Sequence, residues 1–103
     1  MAYALVTGAS KGIGRSIAEE LASKGKDVLL VARNPHQLQE VCAEIEKKYK
    51  VAARSYSIDL SQIDSAKKIF EWCTRNSFDI DVLVNNAGFG LSGSFEKYSL
   101  EEH

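Results

Sequence analysis

The chain has little proline (one residue), little cysteine (two) and almost no net charge (−1), and no apolar run approaches the ~20 residues of a membrane span. Each absence excludes a class of protein. The sequence opens without a charged segment leading into a long apolar one, so neither a secretory signal nor a membrane partner is expected. A near-neutral balance without a basic run leaves no electrostatic footprint for nucleic acid. Lys47, Lys48 and Lys50, the densest basic cluster, read as the solvated end of a helix. Cys42 and Cys73 fall on apolar helical positions, where small buried thiols are expected and a metal or disulfide is not. A reducing, cytoplasmic compartment fits that usage. No linker, internal repeat or low-complexity tract divides the chain, so residues 1–103 read as one domain.

What is present is an ordinary globular composition, 45% hydrophobic and 26% charged, and a glycine pattern in an informative place. Thr7-Gly8-Ala9-Ser10-Lys11-Gly12-Ile13-Gly14 lies between the apolar run Tyr3 to Val6 and a helical pattern that begins at Ile13. A glycine-rich bend from strand to helix brings bare backbone N–H groups and the positive end of a helix against a pyrophosphate. Gly8 permits the sharp turn, Gly12 lets backbone approach phosphate, and Gly14 lets the helix lie close on the sheet. The spacing departs by one residue from the G-x-G-x-x-G fingerprint.

Short β-rich runs alternate with helical patterns along the chain. Tyr3 to Thr7 reads as a strand, followed by a helix with the stripe Ile13, Ile17, Ala18, Leu21 and Ala22 that Gly25 terminates. Val28 to Val31 is apolar on both faces, as a strand covered from each side should be. Asn34 caps a second helix, with Pro35 in its first turn, Gln37 placed for a capping box, and a stripe of Leu38, Val41, Cys42 and Ile45. A strand over Val51 to Ile58 follows. Ser61 with Asp64 then opens a helix with the stripe Ile63, Ala66, Ile69, Phe70 and Cys73, before a last strand over Asp81 to Val84. Strict alternation implies a doubly wound parallel sheet with right-handed crossovers and the strand order 3-2-1-4. Ligands of such sheets lie beyond the carboxyl ends of the strands, at the switch point where the Gly8 bend and the segment after Val84 emerge.

The Thr7 to Gly14 segment, Asp59-Leu60 after the third strand and Asn85-Asn86-Ala87-Gly88 after the fourth resemble the successive motifs of the short-chain dehydrogenases/reductases. The resemblance covers nearly the whole chain and implies a Rossmann-type fold, an NAD or NADP cofactor and oxidoreductase chemistry. It also implies that Asp59 and Leu60 lie at the adenine ring and that Asn86, Ala87 and Gly88 pass the ribose side. Homo-oligomers are usual in the family.

The second strand bears on the choice of cofactor. NAD-selective sites carry an Asp or Glu at its end, and here the residues are Ala32-Arg33-Asn34. A guanidinium can hold a 2′-phosphate bidentately, and Lys11 in the glycine bend adds a second positive charge, with Ser10 a further phosphate contact. NADP is therefore expected over NAD.

Hydride transfer to a carbonyl also needs a proton delivered to an oxygen that gains charge. The family supplies it with a Tyr and a Lys four residues later, together with a Ser. None of Tyr3, Tyr49, Tyr56 or Tyr98 has that lysine, so no catalytic residue is assigned here. His36 and His103 read as solvated. Ser99-Leu100-Glu101-Glu102 is a capping box that announces a helix, and its position suggests the cofactor-binding part of a longer product acting on a small-molecule carbonyl or alcohol. The alternative is a module that binds or senses NADP without turnover. On its own the chain is expected to be inactive and prone to self-association, with the face of strands one and four opposite the second and third helices left exposed.

Overall fold

The computed structural model describes residues 2–86. Four strands, β1 (Ala2–Thr7), β2 (Asp27–Ala32), β3 (Ala53–Ser57) and β4 (Asp79–Asn85), alternate with three helices, α1 (Gly12–Ser23), α2 (Pro35–Tyr49) and α3 (Ser65–Arg75). The strands form one parallel sheet in the order β3-β2-β1-β4, as the alternation implied. Because the direction of winding reverses at β1, helices α1 and α2 cover one face and α3 the other. On the first face Ala4, Val6, Val28 and Leu30 meet Ala18, Ala22, Leu38, Val41 and Ile45. On the second, Leu5, Leu29 and Val31 meet Ile69 and Cys73.

That placement corrects the expectation of an exposed face for strand one. Ala4, Leu5, Val6 and Thr7 are all fully buried, since α1 and α3 shield β1 from opposite sides. In β4 the residues Val82, Leu83 and Val84 are half-buried.

The helices begin and end where local chemistry directs. Gly25, at φ +87°, closes α1 with paired bonds from the Gly25 N–H to the Ala22 carbonyl (2.9 Å) and from the Lys26 N–H to the Leu21 carbonyl (3.1 Å). Asn34 Oδ1 accepts the Gln37 N–H at 3.1 Å and Pro35 fills the first helical position, so the Asn34 half of the expected box is formed. The predicted α2 stripe of Leu38, Val41, Cys42 and Ile45 is buried as expected.

Two stripes differ from their sequence reading. In α1 the buried row is Gly14, Ala18 and Ala22, while Ile13 is 71% exposed and Ile17 and Leu21 are half-buried. Small residues at i, i+4 and i+8 let the helix approach the sheet closely, and the larger aliphatics are turned to its flank. In α3 the helix starts at Ser65, not near Ser61, and Ile63 lies outside it, fully exposed. Asp64 stands at the N-cap position without a side-chain cap bond, its carboxylate pairing with Lys68 at 3.4 Å, and Ser61 is engaged with Asp59. Ile69 and Cys73 are buried as expected, and Ala66 and Phe70 pack beside them.

Strand β3 is shorter than its predicted span, and β4 is longer. Between Tyr3 and Ala4 the β1–β4 register shifts, with Ile80 opposite Tyr3 and Val82 opposite Ala4. The extra residue, Asp81, forms an ion pair with Lys26. This bulge lets Ile80 join one core and Val82 the other despite their even spacing. Both cysteines are buried, and no helix among the described residues is long and apolar enough to cross a membrane.

Candidate cofactor site

The carboxyl ends of β1, β2, β3 and β4 come together around the bend that follows β1. Gly8 and Gly12 both adopt positive φ, +65° and +64°, which a side chain would resist. The Gly8 N–H donates to the Val31 carbonyl at 2.8 Å, and the Ala9 N–H approaches the same oxygen at 3.4 Å. These two amides therefore anchor the bend to β2. The amides of Gly12, Ile13 and Gly14 belong to the first turn of α1 and have no intrahelical acceptor. Lys11, at the N-cap, supplies no side-chain cap, and the first turn contains no acidic residue. By contrast, the first turn of α2 is closed by Asn34. The start of α1 therefore keeps its positive dipole end and its donors directed outward.

Gly14 has a different task from the other two glycines. A Cβ at this position would stand 2.0 Å from the Gly8 carbonyl oxygen and 2.9 Å from Asn86 Nδ2. At Gly12 a Cβ would meet nothing within 4 Å, so its requirement is conformational and the space beside it is open. Ser10 is half-buried within the bend, whereas Lys11 and Ile13 are exposed at its rim.

Two side-chain hydrogen bonds that sequence reasoning did not foresee join the end of β4 to this bend. Thr7 Oγ1 donates to Asn85 Oδ1 at 3.2 Å, with the Val84 carbonyl a longer alternative at 3.4 Å. Asn86 Nδ2 donates to the Gly8 carbonyl at 3.4 Å. The signal was the adjacency of two asparagines after an apolar strand, but nothing local specified their partners. Ala87 and Gly88, the loop after them, the Ser99 capping box and His103 lie outside the described residues.

At the end of β2, Arg33 is exposed and its carbonyl accepts the Ser57 Oγ–H at 2.8 Å, which ties this corner to β3. Asp59 Oδ1 accepts from both the Ser61 N–H and the Ser61 hydroxyl, and Leu60 is half-buried against the α3-side core. Those bonds hold the Asp59 carboxyl below the usual carboxylate range, and the positive charge of Arg33 pulls it the same way. His36 is exposed, and no group of side chains able to hold a metal occurs among the described residues. Burial pushes the Cys42 thiol up to about 11 and the Cys73 thiol up to about 12, so both are protonated near neutral pH.

A parallel sheet of order β3-β2-β1-β4, wound with helices on both faces and carrying a glycine bend at its switch point, defines a Rossmann-type α/β protein. Within that class the chain belongs to the short chain dehydrogenase family, which it matches over residues 2–103. It is 41% identical over 90 residues to the very-long-chain 3-oxoacyl-CoA reductase-A of Danio rerio, covering 87% of this chain and 28% of that protein. It is 41% identical over 88 residues to the NADP-dependent 3-hydroxy acid dehydrogenase of Schizosaccharomyces pombe, covering 84% of this chain and 34% of that one. Among solved structures it resembles L-sorbose reductase from Gluconobacter frateurii complexed with NADPH and L-sorbose. That similarity has a TM-score of 0.79 at 34% identity and covers 86% of this chain and 34% of the reductase. The chain thus spans about a third of the length of these relatives.

Proposed function

We infer that this chain is the cofactor-binding portion of an NADP-dependent oxidoreductase that transfers hydride between NADP(H) and a carbonyl or alcohol. The observation that carries the reading is the start of α1, where Gly12, Ile13 and Gly14 present unsatisfied amides with no capping side chain and no acid in the first turn. A pyrophosphate is the complementary ligand. Gly8, Ser10, Lys11 and Gly12 form its cradle, with Ile13 and Gly14 opening the helix behind them.

The preference for NADP over NAD rests on charge. Arg33 occupies the end of β2, where an acidic residue would accept from the ribose hydroxyls of NAD, and Lys11 adds a cation in the bend. Relatives whose names or complexes specify NADP or NADPH support the same choice. Asp59 and Leu60 serve the adenine end, and Asn86, Ala87 and Gly88 the ribose side. The parent enzyme works in the cytoplasm as a homo-oligomer on a small-molecule carbonyl or alcohol. Its Ser and its Tyr-x3-Lys pair come from sequence other than these 103 residues.

Calorimetric titration of the chain with NADPH and NADH tests the reading. Saturable binding of NADPH, tighter than NADH, is expected. Failure of both nucleotides to bind overturns it.

A further inference from the structure

Strand β3 ends the sheet on one side, and among the described residues only one of its two edges is paired. The Val28 N–H reaches the Ala52 carbonyl and the Ile58 N–H the Ala32 carbonyl, so the even-numbered residues of this segment turn their backbone groups to β2. Ala53, Ser55 and Ser57 turn theirs outward. Such an open row is a template for another strand. A groove of about 520 Å³ runs beside it, bordered by Cys42 and Glu46 of α2, Arg54 and Ser55 of β3 and Trp72 of α3. One position in the row is closed by side chains. Glu46 Oε2 accepts the Ala53 N–H at 3.0 Å and an Arg54 Nη1–H at 2.8 Å, and the same Nη1 donates to the Ala53 carbonyl at 3.1 Å. Alternation puts Arg54 on the Tyr56 side of the sheet, towards α3, whereas Glu46 belongs to α2 on the other side. The ion pair therefore wraps round the edge. Both outward groups of Ala53 are occupied, while those of Ser55 and Ser57 meet no partner among the described residues.

We propose that the β3 edge is an interaction surface for a second copy of this chain, pairing antiparallel about Ser55, and that the Glu46–Arg54 pair holds it closed. The strand is self-complementary in that register. Ser55 is the central residue of Ala53–Ser57, so a two-fold axis there sets Ser55 against its own copy and Ala53 against Ser57. Every outward N–H and C=O then finds a partner. On the α3 side Arg54 stands opposite Tyr56 of the second copy, on the α2 side only alanine and serine meet, and no like charges face each other. An exposed ion pair adds little to stability by itself, but an incoming strand must displace this one from both Ala53 groups before it can pair.

The test is sedimentation equilibrium of the 103-residue chain over a concentration series, with circular dichroism to show that each variant is folded. Glu46→Ala tightens self-association about tenfold, the equivalent of one net hydrogen bond that an incoming strand no longer displaces. Adding Ser55→Pro to that variant returns the association to the wild-type level, because proline removes an outward amide and leaves the ladder to β2 intact. Arg54→Ala frees the Ala53 carbonyl without touching α2 and tightens association in the same direction, so the guard is still tested where Glu46→Ala does not fold. Hydrogen exchange locates the contact: in Glu46→Ala the amides of Ser55 and Ser57 exchange more slowly as concentration rises. Association unchanged in both Glu46→Ala and Arg54→Ala overturns the role of the ion pair. Association that Ser55→Pro leaves in place, or exchange at Ser55 and Ser57 that is independent of concentration, overturns the β3 surface.

Discussion

Asn86 Nδ2 donates to the Gly8 carbonyl across 78 positions of sequence, and a side chain on Gly14 would collide with both partners of that bond. Three segments, the end of β1, the start of α1 and the end of β4, are therefore locked at one point. The Thr7–Asn85 bond lies beside it and binds the same strands. A glycine bend can present amides to a ligand only if its own position is fixed, and this junction fixes it.

Gly14→Ala is expected to destabilise the chain by about 1–3 kcal/mol, toward the upper end because the obstacle is backbone and not a yielding side chain. The measurement is thermal unfolding, where about 4–8 °C is lost per kcal/mol in a domain of this size. An unchanged melting temperature would contradict the close approach of α1 to Gly8.

Arg33→Asp should separate the two cofactors. If the guanidinium holds the 2′-phosphate, its loss weakens NADPH by about 1.5–3 kcal/mol, the range for a charge-assisted contact, and leaves NADH unaffected. Equal weakening of both nucleotides would show that the Arg33 guanidinium does not read the 2′-phosphate.

Asn34→Ala removes the side chain that caps α2 and is expected to lower stability by about 1 kcal/mol. Asn34→Asp, which keeps an acceptor at the helix N-terminus, should stay close to wild type in chemical denaturation. A loss as large for Asp as for Ala would rule out capping as the reason for asparagine here.

The buried thiols set a direction for alkaline stability. Cys42 and Cys73 have folded-state pKa values raised by burial to about 11 and about 12, above the ordinary thiol value of 9.0. Below pH 9 both states carry the proton and the contribution is fully present. As pH rises from 9 towards 11–12 the unfolded thiols ionise while the folded ones do not, so stability falls. Urea midpoints followed between pH 8 and about 11 should decline, and the decline should be shallower in a Cys42→Ala, Cys73→Ala variant. At neutral pH both thiols should resist iodoacetamide until the chain unfolds. Rapid labelling of the native chain would contradict their burial.

Much of the architecture was legible because it depends on local chemistry. Asn34-Pro35 starts α2, Gly25 stops α1, and the apolar run of β2 announces a strand covered on both sides. The misreadings share a cause. Ile13 and Ile63 were placed in buried stripes because apolar residues at helical spacing look alike whichever side of the stripe faces the sheet. Ser61 resembled a helix cap because Ser and Asp are suited equally to caps and to turns. Gly8 and Gly14 were recognisable as a pair, and the contact that requires Gly14 is with the Gly8 carbonyl; what the sequence did not show is that Asn86, far away in the chain, donates to that same carbonyl.

The sequence alone determined the order of strands and helices, the ends of the well-capped elements and the family, since each follows from neighbours a few positions apart or from motifs in fixed succession. Only the tertiary structure decided which face of α1 meets the sheet, that β1 is shielded on both sides, and that Asp81 forms a bulge which sends Ile80 and Val82 to opposite cores. It likewise decided that Asp59 is held by Ser61 and Arg33 by Ser57. These outcomes depend on contacts between segments far apart in the chain or on a choice between equivalent local partners, and both are resolved only when close packing leaves one arrangement that buries the apolar groups and satisfies the polar ones.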